Sequence, residues 1–201
     1  MAAKLTLDDI ADLRAYERER EQFRDHIIAL KRRRRIPVGP VITLVFENRD
    51  TVRFQIQEMA RAERMLTDEA IQVELDIYNP LIPAAGQLAA TMFLELTSKA
   101  ELEEWLPKLV GIERAVELRI AGADGHPIVV PCTPEAAHEA QLTREEVTAS
   151  VHYVYFELAP EQVEAVAAGD VSLAVRHPQY DHATALGAET VAELLTDLRG
   201  S

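Results

Sequence analysis

The segment from Phe46 to Leu66 has the periodicity of an amphipathic helix, and it constrains the fold more than any other part of the chain. At about 100° per residue its polar side is narrow and its apolar side is wide, which predicts a helix packed on a core. The narrow polar side carries Arg53, Gln57, Arg61 and Arg64. Three polar residues interrupt the wide apolar side: Gln55, Glu58 and Glu63.

A carboxylate on a core-facing surface must find a partner, keep its proton or bind a cation, because a buried unpaired charge is very costly. A second predicted helix, Asp68 to Asn79, carries Glu74 in the middle of its inward side. Thr67 is the predicted N-cap of this helix, and Pro80 ends it. The two consecutive helices predict a helical hairpin over residues 50–80 whose acidic groups face the protein interior.

The order of the remaining elements predicts an α+β fold. Val41 to Glu47 is a run of strand-forming residues, and residues 86–201 contain further strands separated by short helices. We therefore expect a single α+β domain over residues 41–201, with a mostly antiparallel sheet and helices on one face. The chain has 201 residues, which is enough for a sizeable core.

Residues 1–40 predict a long N-terminal helix with a basic end. Thr6 is the predicted start, Asp9 completes a capping box with it, and Pro37 stops the helix. Apolar residues recur in a heptad-like seam: Leu13, Tyr16, Phe23, Ile27 and Leu30. Such a helix would extend on the order of 45 Å. We expect it to protrude from the domain and to pair with a second copy in a homodimer.

Five consecutive cations lie at the end of this helix: Lys31, Arg32, Arg33, Arg34 and Arg35. One interpretation is that they complement the negative end of the helix and pair with acidic surface nearby. The other is that they bind an anion or an acidic protein partner. The net charge of the chain is −13, which argues against nucleic-acid binding because that function needs a positive surface.

Two histidines suggest a metal site. His152 and His177 each alternate with apolar residues in a predicted strand, so each lies on the apolar face of its strand. If Leu158 stood opposite Val171 in an antiparallel pair, the two histidines would be cross-strand neighbours. Mixed imidazole and carboxylate ligands suit iron, manganese or zinc. The predicted ligand set is His152, His177, Glu58 and Glu63.

Two alternatives to a metal site stay open for these polar groups. One is a buried polar network that includes salt bridges to Arg49, Arg53 or Arg119. The other is that the long glutamate side chains reach out of a partly covered face into solvent.

Composition and motifs exclude several classes of function. No segment approaches the roughly 20 apolar residues of a membrane span, and the polar beginning of the chain is unlike a signal peptide, so we expect a cytoplasmic protein. The single cysteine, Cys132, excludes an intramolecular disulfide and a multi-cysteine metal site, and we expect it to be buried. The sequence contains no glycine-rich phosphate loop and no motif for covalent catalysis.

The run FENRDTVRFQIQEMARAER is preceded by IIALKRRRRIPVGP and followed by EAIQVELDIYNPLIP. These segments resemble a bacterial family known as domain of unknown function 3501. Members of that family are often encoded beside rubrerythrin-like proteins and an iron–sulfur protein similar to heterodisulfide reductase subunits, which implies redox or peroxide defence. The family supplies no set of catalytic residues. We place a candidate polar cluster in and beside the matched run: Glu47, Arg49, Gln55, Glu58, Glu63 and Glu74.

Two functions from different classes fit these observations. The one we favour is an accessory protein without enzymatic activity that binds a rubrerythrin-like or iron–sulfur partner through the basic end of its first helix. The alternative is a metal-dependent redox or hydrolytic enzyme that uses the carboxylate and histidine side chains.

Overall fold

The computed structural model describes residues 3–122, 125–135 and 147–200, which form eight β-strands and six α-helices. The strands are β1 (Arg35–Val38), β2 (Ile42–Glu47), β3 (Gln87–Leu94), β4 (Val116–Ile120), β5 (Ile128–Pro134), β6 (Val151–Glu157), β7 (Val171–His177) and β8 (Tyr180–Ala185). The helices are α1 (Leu13–Arg34), α2 (Arg49–Glu63), α3 (Asp68–Tyr78), α4 (Lys99–Trp105), α5 (Pro160–Ala168) and α6 (Ala188–Leu198). Within these ranges, no helix has the length and apolar character that a bilayer crossing requires.

The strands form one sheet in the order β1-β2-β3-β6-β5-β4-β7-β8, and every neighbouring pair is antiparallel. The predicted α+β class and antiparallel sheet are therefore confirmed. β1 pairs with β2, so the boundary expected at residue 40 falls between two paired strands.

Both faces of the sheet are covered by helices. On the inner face lies the main core, to which α5 and α6 contribute Val163 and Leu194. On the outer face lies a smaller cluster, in which Ile56 of α2 and Leu75 of α3 pack near Tyr153 of β6. The expectation of helices on one face is thus not confirmed.

The sheet curls until its edge strands β1 and β8 meet. The hydroxyl of Tyr180 in β8 donates to the carbonyl of Val38 (2.6 Å). The same hydroxyl accepts from the backbone N–H groups of Val41 (3.1 Å) and Ile42 (3.2 Å). Gly39 between β1 and β2 has φ +72°, and a Cβ there would lie 2.5 Å from the Tyr180 oxygen. The result is a nearly closed antiparallel barrel, in which the Tyr180 side chain joins the edge strands β1 and β8.

The first helix begins later than predicted. The interaction between Thr6 and Asp9 forms (Thr6 N to Asp9 Oδ2, 2.9 Å), but it caps only a three-residue 3₁₀ turn. α1 starts at Leu13, after Asp12, whose carboxylate accepts two backbone N–H groups of the first turn at 2.9 Å each. With 22 residues, α1 is about 33 Å long.

The apolar seam of α1 is buried within the chain, so the predicted protrusion is wrong. Tyr16, Ile27 and Leu30 are at most 5% exposed, and α1 packs against α2, α6 and β2. A second subunit is not needed to cover this seam. Homodimer formation stays a prediction.

α2 and α3 are consecutive and in contact, but α2 also packs against α1. A helical hairpin as a separate unit is therefore not confirmed. The narrow polar side of α2 faces this second contact. Gln57 is fully buried, and its amide bonds both the N–H (2.8 Å) and the carbonyl (3.1 Å) of Ala11.

Cys132 in β5 is buried, as predicted. Burial raises the pKa of its thiol to about 11, and its Sγ donates to the carbonyl of Glu113 (3.2 Å). The thiol therefore stays protonated at neutral pH and has a packing role.

Candidate functional site

A cavity of about 170 Å³ lies between the outer face of the sheet and the helices that cover it. Its floor is a row of residues that stand opposite one another on four adjacent strands: Arg35, Val45, Thr91 and Tyr153. Directly paired residues point to the same side of a sheet. The register of β1, β2, β3 and β6 therefore fixes the floor of the cavity.

The roof of the cavity comes from the start of α2 and the end of α3. Asn48 is the N-cap of α2: its side chain accepts from the N–H of Thr51 (3.0 Å), and the Thr51 hydroxyl accepts from the N–H of Asn48 (2.9 Å). This reciprocal cap holds Thr51 above the end of β2. Val52 and Gln55 continue the roof along α2, and Tyr78 approaches from α3.

Glu47, the last residue of β2, brings a buried carboxylate to the cavity and is 8% exposed. The hydroxyls of Thr51 and Thr91 donate to its two oxygens at 2.5 and 2.6 Å. Two donors leave about half of the acceptor capacity of a carboxylate unused. Among the described residues, no cation forms an ion pair with Glu47. Glu47 is thus a buried acceptor that has room for another donor.

Two tyrosines supply neutral polar groups to the cavity. Burial raises the pKa of Tyr153 to about 12, and Tyr78 and the charge of Glu47 act in the same direction. Burial also raises the pKa of Tyr78, with a further increase from Glu74 and an opposing effect of its hydrogen bond with Gln55. Both tyrosines are therefore protonated at neutral pH and offer O–H groups rather than charges.

Lys31 and Arg35 give the cavity a positive border. They lie one helical turn apart, where α1 passes into β1. The guanidinium of Arg35 pairs with Glu95 and lies 6.0 Å from the centre of the Phe93 ring. Lys31 makes no ion pair within the part of the chain that the structure describes. One cavity is therefore lined by a carboxylate and an ammonium group for which the described residues supply no counter-ion.

The structure separates the six residues of the predicted polar cluster. Glu47 and Gln55 line the cavity, whereas Arg49 pairs with the N-terminal segment. Glu74 is buried on α3 at 8% exposure, and burial followed by the charge of Glu63 raises its pKa. Glu63 itself is exposed at the end of α2. The predicted inward orientation is thus correct for Glu74 and wrong for Glu63.

Glu58 has its partners on α1. Arg20 donates from Nε and Nη2 to its two oxygens at 2.8 Å each, and the hydroxyl of Tyr16 donates at 2.7 Å. Hydrogen bonding from Arg20 lowers the pKa of Glu58, burial opposes this, and Tyr16 adds to the lowering. Glu58 therefore belongs to a polar network that ties α2 to α1, and it does not reach the cavity.

The basic run is used mainly within the chain. Arg34 is fully buried and bonds Asp197 at 2.6 and 3.0 Å and Glu193 at 2.8 and 3.1 Å. Arg33 donates to Glu193 as well (2.9 Å). The interpretation that these cations pair with nearby acidic groups is confirmed for Arg33, Arg34 and Arg35.

The predicted metal-ligand set is not assembled. β6 pairs with β3 and β5, while β7 pairs with β4 and β8, so the expected pairing of β6 with β7 is wrong. The Nε2 atoms of His152 and His177 lie 2.9 and 3.1 Å from backbone carbonyl oxygens. Glu58 is held by α1, and Glu63 is exposed. Across the described ranges, no three His, Cys, Asp or Glu side chains are grouped to hold a metal ion.

Sequence reasoning missed four residues that shape the cavity: Thr51, Tyr78, Thr91 and Tyr153. Thr51 had a local signal, because Asn48 precedes it by three residues at the start of a predicted helix. Thr91 and Tyr153 had none, since they become neighbours only when β3 pairs with β6.

Comparison with known protein families gives a match over most of the chain. The family described as protein of unknown function (DUF3501) matches residues 4–198. The chain belongs to the DUF3501 family. The resemblance seen in the sequence is therefore confirmed, and the matched segment includes every residue that lines the cavity.

A solved structure is similar to this chain over its whole length. It is the crystal structure at 1.90 Å resolution of a novel protein of unknown function from Burkholderia pseudomallei K96243, 33% identical to this chain. Its TM-score is 0.87, and the match covers 98% of this chain and 100% of that one. No curated protein matches the chain.

Proposed function

We propose that this chain is a cytoplasmic accessory protein that binds a small polar molecule in the cavity beneath α2 and α3. The observation that carries the proposal is the carboxylate of Glu47, which is buried, faces a cavity and lacks a counter-ion among the described residues. A buried charge in that setting is costly unless something neutralises it. A ligand with N–H or O–H donors would lower that cost by hydrogen bonding to the two oxygens of Glu47, and a cationic ligand would also neutralise the charge.

The size and lining of the cavity support a small ligand. Binding sites for small molecules are concave and largely apolar, with a few polar groups that fix orientation. Here Val45, Val52 and Leu81 supply apolar walls between the polar groups. The volume of about 170 Å³ corresponds to roughly five or six water molecules at about 30 Å³ each. This favours a metabolite of few atoms over a nucleotide or a polymer.

We place this binding role in redox or peroxide defence, with a rubrerythrin-like or iron–sulfur protein as the partner, because the family resemblance implies that setting. Arg33, Arg34 and Arg35 already pair within the chain, which leaves less charge for a partner than the sequence suggests. The alternative, a metal-dependent enzyme with iron, manganese or zinc, is disfavoured because its proposed ligands lie on separate parts of the fold.

Ligand binding can be tested by thermal unfolding with a panel of single probes: amino acids, small carboxylic acids, amines and sugars. A ligand at a hundred-fold excess over its Kd stabilises a protein by about 2.7 kcal/mol. For a chain of this size, that raises Tm by roughly 5–10 °C. We expect at least one probe to give a shift of this order.

A blocked cavity provides the matched control. Gln55 lines the cavity and is itself exposed, so Gln55→Trp should fill part of the cavity and abolish the shift. Gln22→Trp makes the same change at an exposed position of α1 outside the cavity, and it should leave the shift unchanged. A panel in which no probe raises Tm, or a shift that survives Gln55→Trp, would contradict the proposal.

A further inference from the structure

From the charges around the cavity we infer the class of its ligand: a short zwitterion that carries an ammonium group for Glu47 and a carboxylate for Lys31. The inference rests on the proposed function, because it names what the same cavity holds.

The buried carboxylate of Glu47 favours a cationic group on the ligand. Both oxygens of Glu47 already accept a threonine hydroxyl, at 2.5 and 2.6 Å. Their remaining lone pairs need donors. An ammonium group supplies up to three N–H donors and also a positive charge, and hydrogen bonds between ionised groups are the strongest type available. A neutral hydroxyl would supply one donor and leave the charge of Glu47 uncompensated.

The border of the cavity selects an anionic group. Lys31 and Arg35 are the cations that line it, and Arg35 is already paired with Glu95. The ammonium of Lys31 has no ion pair within the described residues and therefore has its charge available. A carboxylate on the ligand would pair with it.

The part of the cavity between Glu47 and Arg35 is short and lined by apolar side chains. Arg35 stands opposite Val45, and Glu47 is two residues further along the same face of β2, about 7 Å away along the strand. The walls between them include Val45, Val52 and Phe93, which suit methylene groups. These features fit an amino acid with a short aliphatic spacer between its amine and its carboxylate.

Three probes with the same carbon chain test the inference by calorimetry on the full-length protein. They are 4-aminobutanoate, butylamine and butanoate, which carry both charged groups, the amine alone and the carboxylate alone. We expect 4-aminobutanoate to bind at least about ten times more tightly than either of the others, because each lost charge pair removes a desolvated interaction. 2-Aminobutanoate, with adjacent charges, reports whether the spacer matters.

Two variants assign the ends of the ligand. Glu47→Gln removes the negative charge but keeps an acceptor oxygen, and it should lower the affinity for 4-aminobutanoate to that of butanoate for the native protein. Lys31→Met should lower it to that of butylamine. Lys99→Met, at a highly exposed lysine of α4, is the control and should have no effect. If Glu47→Gln does not fold, Lys31→Met still tests the inference, because Lys31 lies at the border rather than in the core.

The outcomes separate this inference from the proposed function. Butanoate or butylamine binding as tightly as 4-aminobutanoate, or Lys31→Met leaving its affinity unchanged, overturns the zwitterion. If the broad panel instead finds a neutral ligand that Gln55→Trp excludes, the binding function stands and the zwitterion is wrong. If no probe of either set binds, both are wrong.

Discussion

Glu74 is a single residue whose protonation is altered by the fold. It is 8% exposed on α3, and burial, followed by the charge of Glu63, raises its pKa. A raised pKa means that the folded state disfavours the carboxylate, so the native chain loses stability as pH rises above about 4.5 and through the folded-state pKa. We expect Glu74→Gln to raise the free energy of unfolding at pH 7, because the neutral amide avoids the cost of burying a charge.

The check for Glu74→Gln is thermal unfolding as a function of pH. The stability gained from Glu74→Gln should disappear below about pH 4.5, because the carboxyl group of Glu74 is then protonated in both the folded and the unfolded chain. Glu21→Gln, at an exposed glutamate in the middle of α1, should change stability by less than about 0.5 kcal/mol at any pH. A gain that persists in acid would show that charge is not the cause.

Single residues of the site were predictable only where the helix runs as its pattern implies. Glu74 lies on the buried side of α3, as its spacing indicates. Glu63 shares that spacing on α2 but is the last residue of the helix, because Arg64 adopts a left-handed conformation with φ +53°. The sequence prediction assumed that the helix continues through Leu66, and helical periodicity does not show where a helix ends.

At the scale of elements, the end of α1 is joined to α6 through one buried arginine. Arg34 bonds Glu193 and Asp197 with four donor–acceptor contacts. Burial alone would raise the pKa of Glu193, but hydrogen bonds from Arg34 and Arg33 lower it below its usual value. These contacts of Arg34 fix the junction of α1 and β1, where the cavity-lining cations Lys31 and Arg35 lie.

Removal of Arg34 should therefore destabilise the fold severely. Arg34→Ala leaves two acidic side chains without their main partner in a buried place, and we expect a loss of about 3–5 kcal/mol in the free energy of unfolding. Denaturant titration measures it. Arg32→Ala, two positions earlier and exposed, should cost less than about 0.5 kcal/mol. Equal effects of the two substitutions would mean that the bonds of Arg34 to Glu193 and Asp197 do not stabilise the position of α1.

The elements themselves were partly predictable. β2 was found because its residues are strong strand formers. β1 was missed, since Arg35–Val38 follows the basic run directly and contains Pro37, which suggests a linker. Proline is tolerated in this position because β1 is an edge strand. A pattern of local preferences does not reveal that a short segment pairs with its neighbour.

The whole molecule depends on contacts between distant parts of the chain, and these account for what the sequence did not reveal. The floor of the cavity joins β1, β2, β3 and β6, and the last of these follows the others by more than fifty residues. Register across such distances is set by the complete sheet. The antiparallel class was predictable from strand patterns, whereas the strand order and the meeting of β1 with β8 were not.

The closure of the barrel gives a prediction at this scale. Where β8 meets β1, the Tyr180 hydroxyl hydrogen-bonds the backbone carbonyl of Val38 and the backbone N–H groups of Val41 and Ile42. Tyr180→Phe leaves these three backbone groups without that partner, so we expect a loss of about 2–3 kcal/mol and a fall in Tm of roughly 4–12 °C. Tyr155→Phe is the matched control, because the described residues offer its hydroxyl no hydrogen bond. If both variants have the same Tm, Tyr180 does not hold the barrel closed. If only Tyr180→Phe lowers Tm and amide exchange becomes faster in β1 and β8, the sheet opens between these two strands.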